Sequence, residues 1–251
     1  MKISVCMASY NGAKFINSQI SSILKQLGNN DELIISDDGS SDNTIEIINS
    51  FNDERIILLS HTRNDKIRKK TYTHYLVSSN FENALQFCTG DIIFLADQDD
   101  IWIENKIRNM LPFFETYSLV MSDCSILDQE STREHNSFFN EKIILPRGLV
   151  KNIVKPIYHG CCIAFRREIL NVALPFPEKM ILHDSWIGIL AENFGKVKFI
   201  DEKLVLYRRH FSNSSYATGK SKNSLFFQIS YRARLFFQVI KRILSIKYNN
   251  I

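Results

Sequence analysis

The chain has 251 residues, 45% of them apolar, and a formal net charge of +4. That apolar share excludes a disordered chain, and the length allows one large core with an appendage. All 27 acidic residues lie at or before Glu202, whereas Lys203 and nine further bases follow it, so an acidic body precedes a basic tail.

The N-terminal run ISVCMA is too short, and too soon followed by SYNG, to be a signal peptide. No apolar run approaches the roughly 18 residues of a membrane span. The expectation is a cytoplasmic protein. Cys6, Cys88, Cys124, Cys161 and Cys162 form no C-x-x-C pair and no zinc-like spacing. An odd count of this kind fits reduced, mostly buried thiols.

In chain order, short β-branched runs predict strands at 3–8 (ISVCMA), 33–36 (LIIS), 56–60 (IILLS), 91–96 (DIIFLA) and 118–122 (SLVMS). Their near-continuous apolarity is that of strands covered on both faces. Between them, helical spacing joins Phe15, Ile16, Ile20, Ile23, Leu24 and Leu27, then Ile45, Ile47, Ile48 and Phe51, then Phe81, Ala84, Leu85 and Phe87. The alternation predicts an α/β fold with a mostly parallel central sheet flanked by helices, and ligands at the carboxyl ends of the strands.

Three of those strand ends carry distinctive residues: Ala8-Ser9-Tyr10-Asn11-Gly12, Asp37-Asp38-Gly39-Ser40-Ser41-Asp42, and Asp97-Gln98-Asp99-Asp100. In a parallel sheet they converge on one edge. The basic segment 61–75 reads either as a solvated loop or as a flap that orders on ligand binding. From 123 to 156 the pattern turns polar and mixed. A second block then carries YHGCCIAFRREIL, a helix in HDSWIGILAENFG, and strands in VKFID and KLVLYRRH. That block is too short to close its own core, so no domain boundary falls before it.

Like charges as close as Asp97, Asp99 and Asp100 repel, and burying them unpaired is costly. A divalent cation preferring hard oxygen, Mg²⁺ or Mn²⁺, would satisfy them together with phosphate oxygens. A solvated acidic turn, with Asp100 capping a helix that starts near Trp102, is the alternative. The Asp37-Asp38 turn, with Ser41 or Asp42 capping the next helix, supplies a second acidic edge to the same crevice.

The stretches CMASYNGAKFINSQISSIL, DELIISDDGSSDNT and GDIIFLADQDDIW resemble the inverting family-2 nucleotide-sugar glycosyltransferases, of the glycosyltransferase-A fold. The likeness is strong over 1–125 and weaker to about 215. It implies that Ala8, Ser9, Tyr10, Asn11 and Asp38 grip the nucleoside, that Asp97 contacts the donor, and that Asp99 touches a Mn²⁺ or Mg²⁺ ion. Asp100, the additional acid, falls to a cap or to ribose and water contacts. The family's helix-starting Glu-Asp becomes His183-Asp184 here, which makes Asp184 the catalytic base, with His183 and Trp186 beside the acceptor. Gly160 in HGCCIAFRR corresponds to a close approach of the acceptor sugar to backbone, or else to a bulge in an ordinary strand. In YRRHFSNSS, Arg208 and Arg209 would hold the diphosphate and His210 would hold the metal or a phosphate.

The tail places Leu225, Ile229, Ala233, Phe236, Ile240 and Ile243 on one helical face, widened by Phe226, Phe237 and Leu244, with Arg234, Gln238, Lys241 and Arg242 opposite. A basic amphipathic helix lies on anionic membranes or packs its apolar face on protein. Nothing resembles a nucleic-acid-binding module. The resulting expectation is a catalytic domain over 1–215, with a nucleotide-sugar-binding half (1–125) and an acceptor-binding half (126–215), followed by a basic helical tail (216–251). It would move a sugar from a nucleotide diphosphate to a glycan or lipid-linked oligosaccharide of the bacterial surface, at the inner face of the membrane. A sugar nucleotidyltransferase, and a non-catalytic nucleotide-sugar- or glycan-binding subunit, are the rivals.

Overall fold

A computed structural model of the chain describes residues 1–61, 73–127, 134–139, 143–180, 182–209 and 225–249. The first half alternates as expected: β1 (Ile3–Ser9), α1 (Ile16–Leu24), β2 (Glu32–Asp37), α2 (Thr44–Ser50), β3 (Ile56–Ser60), α3 (Thr73–Leu85) and β4 (Ile92–Asp97). Then come β5 (Ile101–Trp102), α4 (Lys106–Met110), β6 (Leu119–Leu127), β7 (Glu134–Ser137), α5 (Leu149–Val154), β8 (Ile163–Arg166), α6 (Leu170–Ala173), α7 (His183–Phe194), β9 (Val197–Arg208) and α8 (Leu225–Asn249).

Among the described residues all the strands share one sheet, ordered β3-β2-β1-β4-β8-β6-β9-β5, with β7 on β6. The β3-β2-β1-β4 half is parallel, as predicted. Beyond it the sheet is mixed: β8 runs antiparallel to both β4 and β6, and β5 antiparallel to β9. Val5, Met7, Ile34 and Phe94 are fully buried, each such side chain stabilising by about 1.5 to 3 kcal/mol. All five cysteines are buried and reduced.

Several local expectations give way. VKFID and KLVLYRRH are one 12-residue strand. The exposed Asp201-Glu202-Lys203 in its middle reads as a break, but the ladder absorbs it through register shifts against β6 near Asp123. No helix starts near Trp102, because Ile101 and Trp102 pair with Leu206 and Val205. Gly160 lies in a tight 3-10 turn, Gly160–Cys162, ahead of β8 rather than inside a strand.

The tail helix is phased differently from its predicted stripe. α8 packs on α5 and α7, burying Leu235 and Val239, while Ile229, Ala233 and Phe237 are exposed. Arg242, expected on the outward polar face, is turned inward. Its guanidinium donates to the carbonyls of Val172 (2.8 Å), Leu174 (3.0 Å) and Pro175 (2.6 Å) and lies 5.2 Å from the centre of the Trp186 ring. Several carbonyls and an aromatic face offset the desolvation of that charge.

Glu32 pins the start of the parallel half. It accepts from Lys2 Nζ (2.5 Å), Ser4 Oγ (2.5 Å) and the Thr89 amide (2.7 Å), joining β1, β2 and the turn before β4. Burial alone would raise its carboxyl, but these hydrogen bonds outweigh burial and hold it below the ordinary glutamate value. A lowered folded-state value gives stability that is present above the unfolded value and is lost as pH falls through the folded one. Glu32→Gln is therefore expected to lower urea-unfolding stability by about 1 to 2 kcal/mol at pH 7, with wild type and variant converging as the pH drops below about 4.

Candidate active site

Parallel register aligns the rim. Ala8 lies opposite Ser36 and Asp97, Ser9 lies opposite Asp37, and Asp37 lies opposite Ser60. With strands about 4.8 Å apart, the ends of β3, β2, β1 and β4 make one continuous lip.

Short hydrogen bonds lace the three loops above it. Gln98 accepts the Tyr10 amide (2.9 Å) and donates to the Tyr10 carbonyl (3.0 Å). Gly12 makes room for this clasp, since a Cβ there would come within 2.3 Å of the Gln98 oxygen. Asn11, at a left-handed φ of 48°, accepts the Ser41 amide on its Oδ1 and donates its own backbone N–H to Ser40 Oγ, both at 2.8 Å. Asp42 accepts the Thr44 amide and hydroxyl, although the N-cap position of α2 is Asn43, whose side chain makes no cap, rather than the expected Ser41 or Asp42.

The two acids of the Asp-Asp turn divide their work. Asp37 is used up inside the turn by Ser9 Oγ (2.7 Å), the Ser40 amide (2.7 Å) and Ser40 Oγ (2.6 Å). Asp38 Oδ1 lies 2.9 Å from His61 Nδ1, and His61 Nε2 lies 3.2 Å from Ser79 Oγ. His61 thus bridges Asp38 and Ser79 across the strand ends. His61 is a partner that the sequence reading missed. The signal was a histidine directly after the third strand, whose end lies beside that of the second. Tyr10, 41% exposed, is the aromatic ring on this side of the rim.

On the other side stand the carboxylates. Burial, then the Asp99 carboxylate, then that of Asp184 push Asp97 up to about 8. Asp184, in the first turn of α7, therefore reaches the same crevice from the far half of the chain. Asp100 is fully buried and pushed well up by burial and by Asp99 and Asp97. It caps no helix; its Oδ1 accepts the Arg208 amide at 3.0 Å. Beneath them lies Lys106, also fully buried, its Nζ 2.6 Å from the Cys161 carbonyl and 4.3 Å from the centre of the Trp102 ring. Burial pushes this ammonium down, while Cys162, Cys161 and Asp100 hold it up. A lysine side chain is thus built into the buried base of the cluster, and the sequence reading, which looked for a positive group only in a metal, missed it.

Arg208 is committed to the cluster's backbone: its Nε donates to the Asp99 carbonyl (3.0 Å) and its guanidinium lies 4.9 Å from the centre of the Phe15 ring. Arg209 follows it on the same edge, with its amide on the Leu127 carbonyl at 3.0 Å. His210 and most of the 61–75 loop lie outside the described residues. On the acceptor side, a Cβ on Gly160 would lie 3.5 Å from His183 Nε2 and 3.9 Å from Asp184 Cβ, so the turn does abut the start of α7. His183 is buried, stacked on Phe81 at 4.4 Å with Nδ1 3.3 Å from Ser78 Oγ. Trp186 is fully buried, its indole N–H donating to the Ala173 carbonyl at 2.9 Å. These two side chains anchor the start of α7 in the core, with His183 Nε2 turned toward Gly160.

A crevice with an aromatic and a carboxylate at one end and a crowd of carboxylates at the other suits a nucleotide carrying a charged diphosphate. Residues 4–173 match the family described as glycosyl transferase family 2. The chain belongs to that family. It is a glycosyltransferase, which sets the nucleotidyltransferase rival aside. The Escherichia coli protein named UDP-Glc:alpha-D-GlcNAc-diphosphoundecaprenol beta-1,3-glucosyltransferase WfgD is 29% identical over 223 residues, covering 88% of this chain and 81% of that one. Across three relatives of this kind the chain spans 66%, 81% and 79% of their own length. Staphylococcus aureus TarS 1–349, solved with UDP-GlcNAc, superposes with a TM-score of 0.66 at 16% identity, covering 98% of this chain and 73% of that one. The mannosyltransferase PcManGT of Pyrobaculum calidifontis, solved with GDP-Man and Mn²⁺, gives 0.56 at 18% identity, covering 97% and 64%. Both likenesses establish the glycosyltransferase-A fold.

Removing Lys106 leaves the buried Cys161 carbonyl without its donor. Lys106→Met is expected to lower stability by about 1 to 3 kcal/mol, read by chemical denaturation.

Proposed function

We propose that this glycosyltransferase is metal-dependent and inverting, and moves a sugar from a nucleotide diphosphate to a hydroxyl of a glycan or lipid-linked acceptor. The observation that carries the reading is the convergence of Asp97, Asp99 and Asp184 on one crevice, where burial first, and then the Asp99 and Asp184 carboxylates, lift Asp97 to about 8. Lys106 offsets only part of that charge, so a further positive group fits at the rim. Hard oxygen donors on Asp97 and Asp99, both half-buried, suit Mn²⁺ or Mg²⁺. His210 is the further ligand we assign. Among the described residues Asp97, Asp100 and Cys161 bring two carboxylate oxygens and a sulfur within 4.8 Å of one another. Asp100 is held by Arg208 and Cys161 is buried, which leaves Asp97 and Asp99 to face a ligand.

When bound, the cation would stabilise negative charge on the leaving diphosphate. The chain's own residues do the remainder. Tyr10 stacks the nucleoside base, and Asp38, oriented by His61, accepts its N–H. The loop amides and side chains at Ala8, Ser9 and Asn11 line the nucleoside, while Arg208 and Arg209 border the diphosphate. Asp184 takes the proton from the acceptor hydroxyl, whose oxygen then attacks the sugar carbon opposite the departing phosphate and inverts it. Gly160 leaves room beside Asp184 for the acceptor.

In this division residues 1–125 hold the donor, 126–215 the acceptor, and 216–251 form the basic tail. The similarity to an enzyme named for a diphosphoundecaprenol-linked acceptor supports a lipid-linked oligosaccharide substrate in bacterial surface polysaccharide synthesis. No helix among the described residues is long and apolar enough to cross a membrane, and we place the protein peripherally on the inner membrane face. Asp99 and Asp184 standing together on one rim argue against a subunit that only binds.

A panel of UDP-, dTDP- and GDP-sugars assayed for metal-dependent hydrolysis tests the donor class, and no turnover with any of them would sink it. Asp99→Asn is expected to abolish the gain in nucleoside diphosphate affinity that Mn²⁺ gives in calorimetry; an undiminished gain would move the metal site. Asp184→Asn is expected to leave donor affinity within a few-fold while transfer falls at least about a hundredfold, the scale of a general base.

A further inference from the structure

Two contacting helices leave apolar side chains in water. α8 buries Leu235 and Val239 against the body, yet Phe226 (83% exposed), Ile229 (65%), Phe237 (68%) and Leu244 (62%) stand outside. Their spacing of three, eight and seven residues, with exposed Ala233 between them, draws a single stripe down the helix. α5, which packs on α8, exposes Val150 (67%) and Val154 (63%) one turn apart. Scattered exposed apolar residues are ordinary, but a run of them on neighbouring helices marks a contact surface.

The charge around this surface chooses its occupant. Arg234, Lys241 and Lys247 on α8, Lys151 on α5 and Lys155 just after it are all exposed, and no acid occurs anywhere after Glu202. A second copy docking through the same face would set these bases against their own counterparts. An anionic lipid surface takes both features: its acyl boundary receives the stripe and its headgroups meet the bases. We infer that the outward face of α8, with Phe226, Ile229 and Phe237 as its apolar keel and Arg234 and Lys241 as its cationic flanks, docks the protein on anionic lipid, extended by the neighbouring α5. This deepens the membrane placement proposed above and rests on it.

The test is co-sedimentation of the full chain with phosphatidylcholine vesicles, with and without phosphatidylglycerol. The wild type is expected to pellet with the mixed vesicles, to bind phosphatidylcholine weakly, and to be released by high salt. The pairs Ile229→Ser with Phe237→Ser and Arg234→Glu with Lys241→Glu should each weaken binding at least about tenfold, with thermal stability and nucleoside diphosphate affinity unchanged. If the wild type pellets and both pairs pellet equally, the face is wrong while membrane placement survives. If the wild type never pellets, face and placement both fall, and retained nucleotide binding leaves the transferase reading standing. If both pairs instead abolish a concentration-dependent dimer and vesicles do not bind, a second copy of the chain covers this face, and the inference is overturned.

Discussion

Repulsion among carboxylates brought together at one sheet edge is the constraint on which the rest of this structure turns. Parallel pairing of β1 with β2 and β4 sets Asp37 and Asp97 on either side of the first strand's end. The long strand β9 then returns Arg208 to the Asp99 carbonyl and the Asp100 carboxylate, and α7 brings Asp184 to the same place. Each of these charges would be unfavourable alone in a partly dry crevice. They persist because the fold supplies graded compensation: hydrogen bonds for Asp37, a backbone amide for Asp100, and the ammonium of Lys106 below. What is left over faces outward, where a ligand's charge can meet it.

The same reasoning separates scaffold from working parts. Asp37 and Asp38 look equivalent as letters, yet the first has its oxygens taken up by Ser9 and Ser40, while the second engages His61 at the strand's open end. Trp186 and His183, adjacent in sequence to Asp184, are held in the core by Ala173, Ser78 and Phe81. Their contribution is to fix the first turn of α7, and through it the direction of the aspartate.

Much of this was legible in the sequence because the first half obeys local rules. Continuous apolar runs mark doubly covered strands, and the distinctive residues follow directly at their ends. The second half was less legible for physical reasons. The antiparallel β5 and β8 are short and pair with segments distant in the chain, and the polar centre of β9 mimics a turn. Lys106 and Arg242 could not be placed either, since a sequence gives no sign that a long cation will be buried. Their partners, the carbonyls of Cys161 and of Val172, Leu174 and Pro175, are backbone atoms that every sequence possesses. The wheel grouped the outward residues of α8 correctly but could not tell that Leu235, Val239 and Arg242 would be the ones turned to the body.

The clasp between Gln98 and both backbone groups of Tyr10 carries one more implication. It joins the lip over the first strand to the lip over the fourth before any substrate arrives, and Gly12 keeps that join unobstructed. The two edges of the crevice therefore behave as one stiff bracket. The loss of conformational entropy needed to shape them falls on folding rather than on the encounter with a donor, which favours tight, preorganised association from modest contacts.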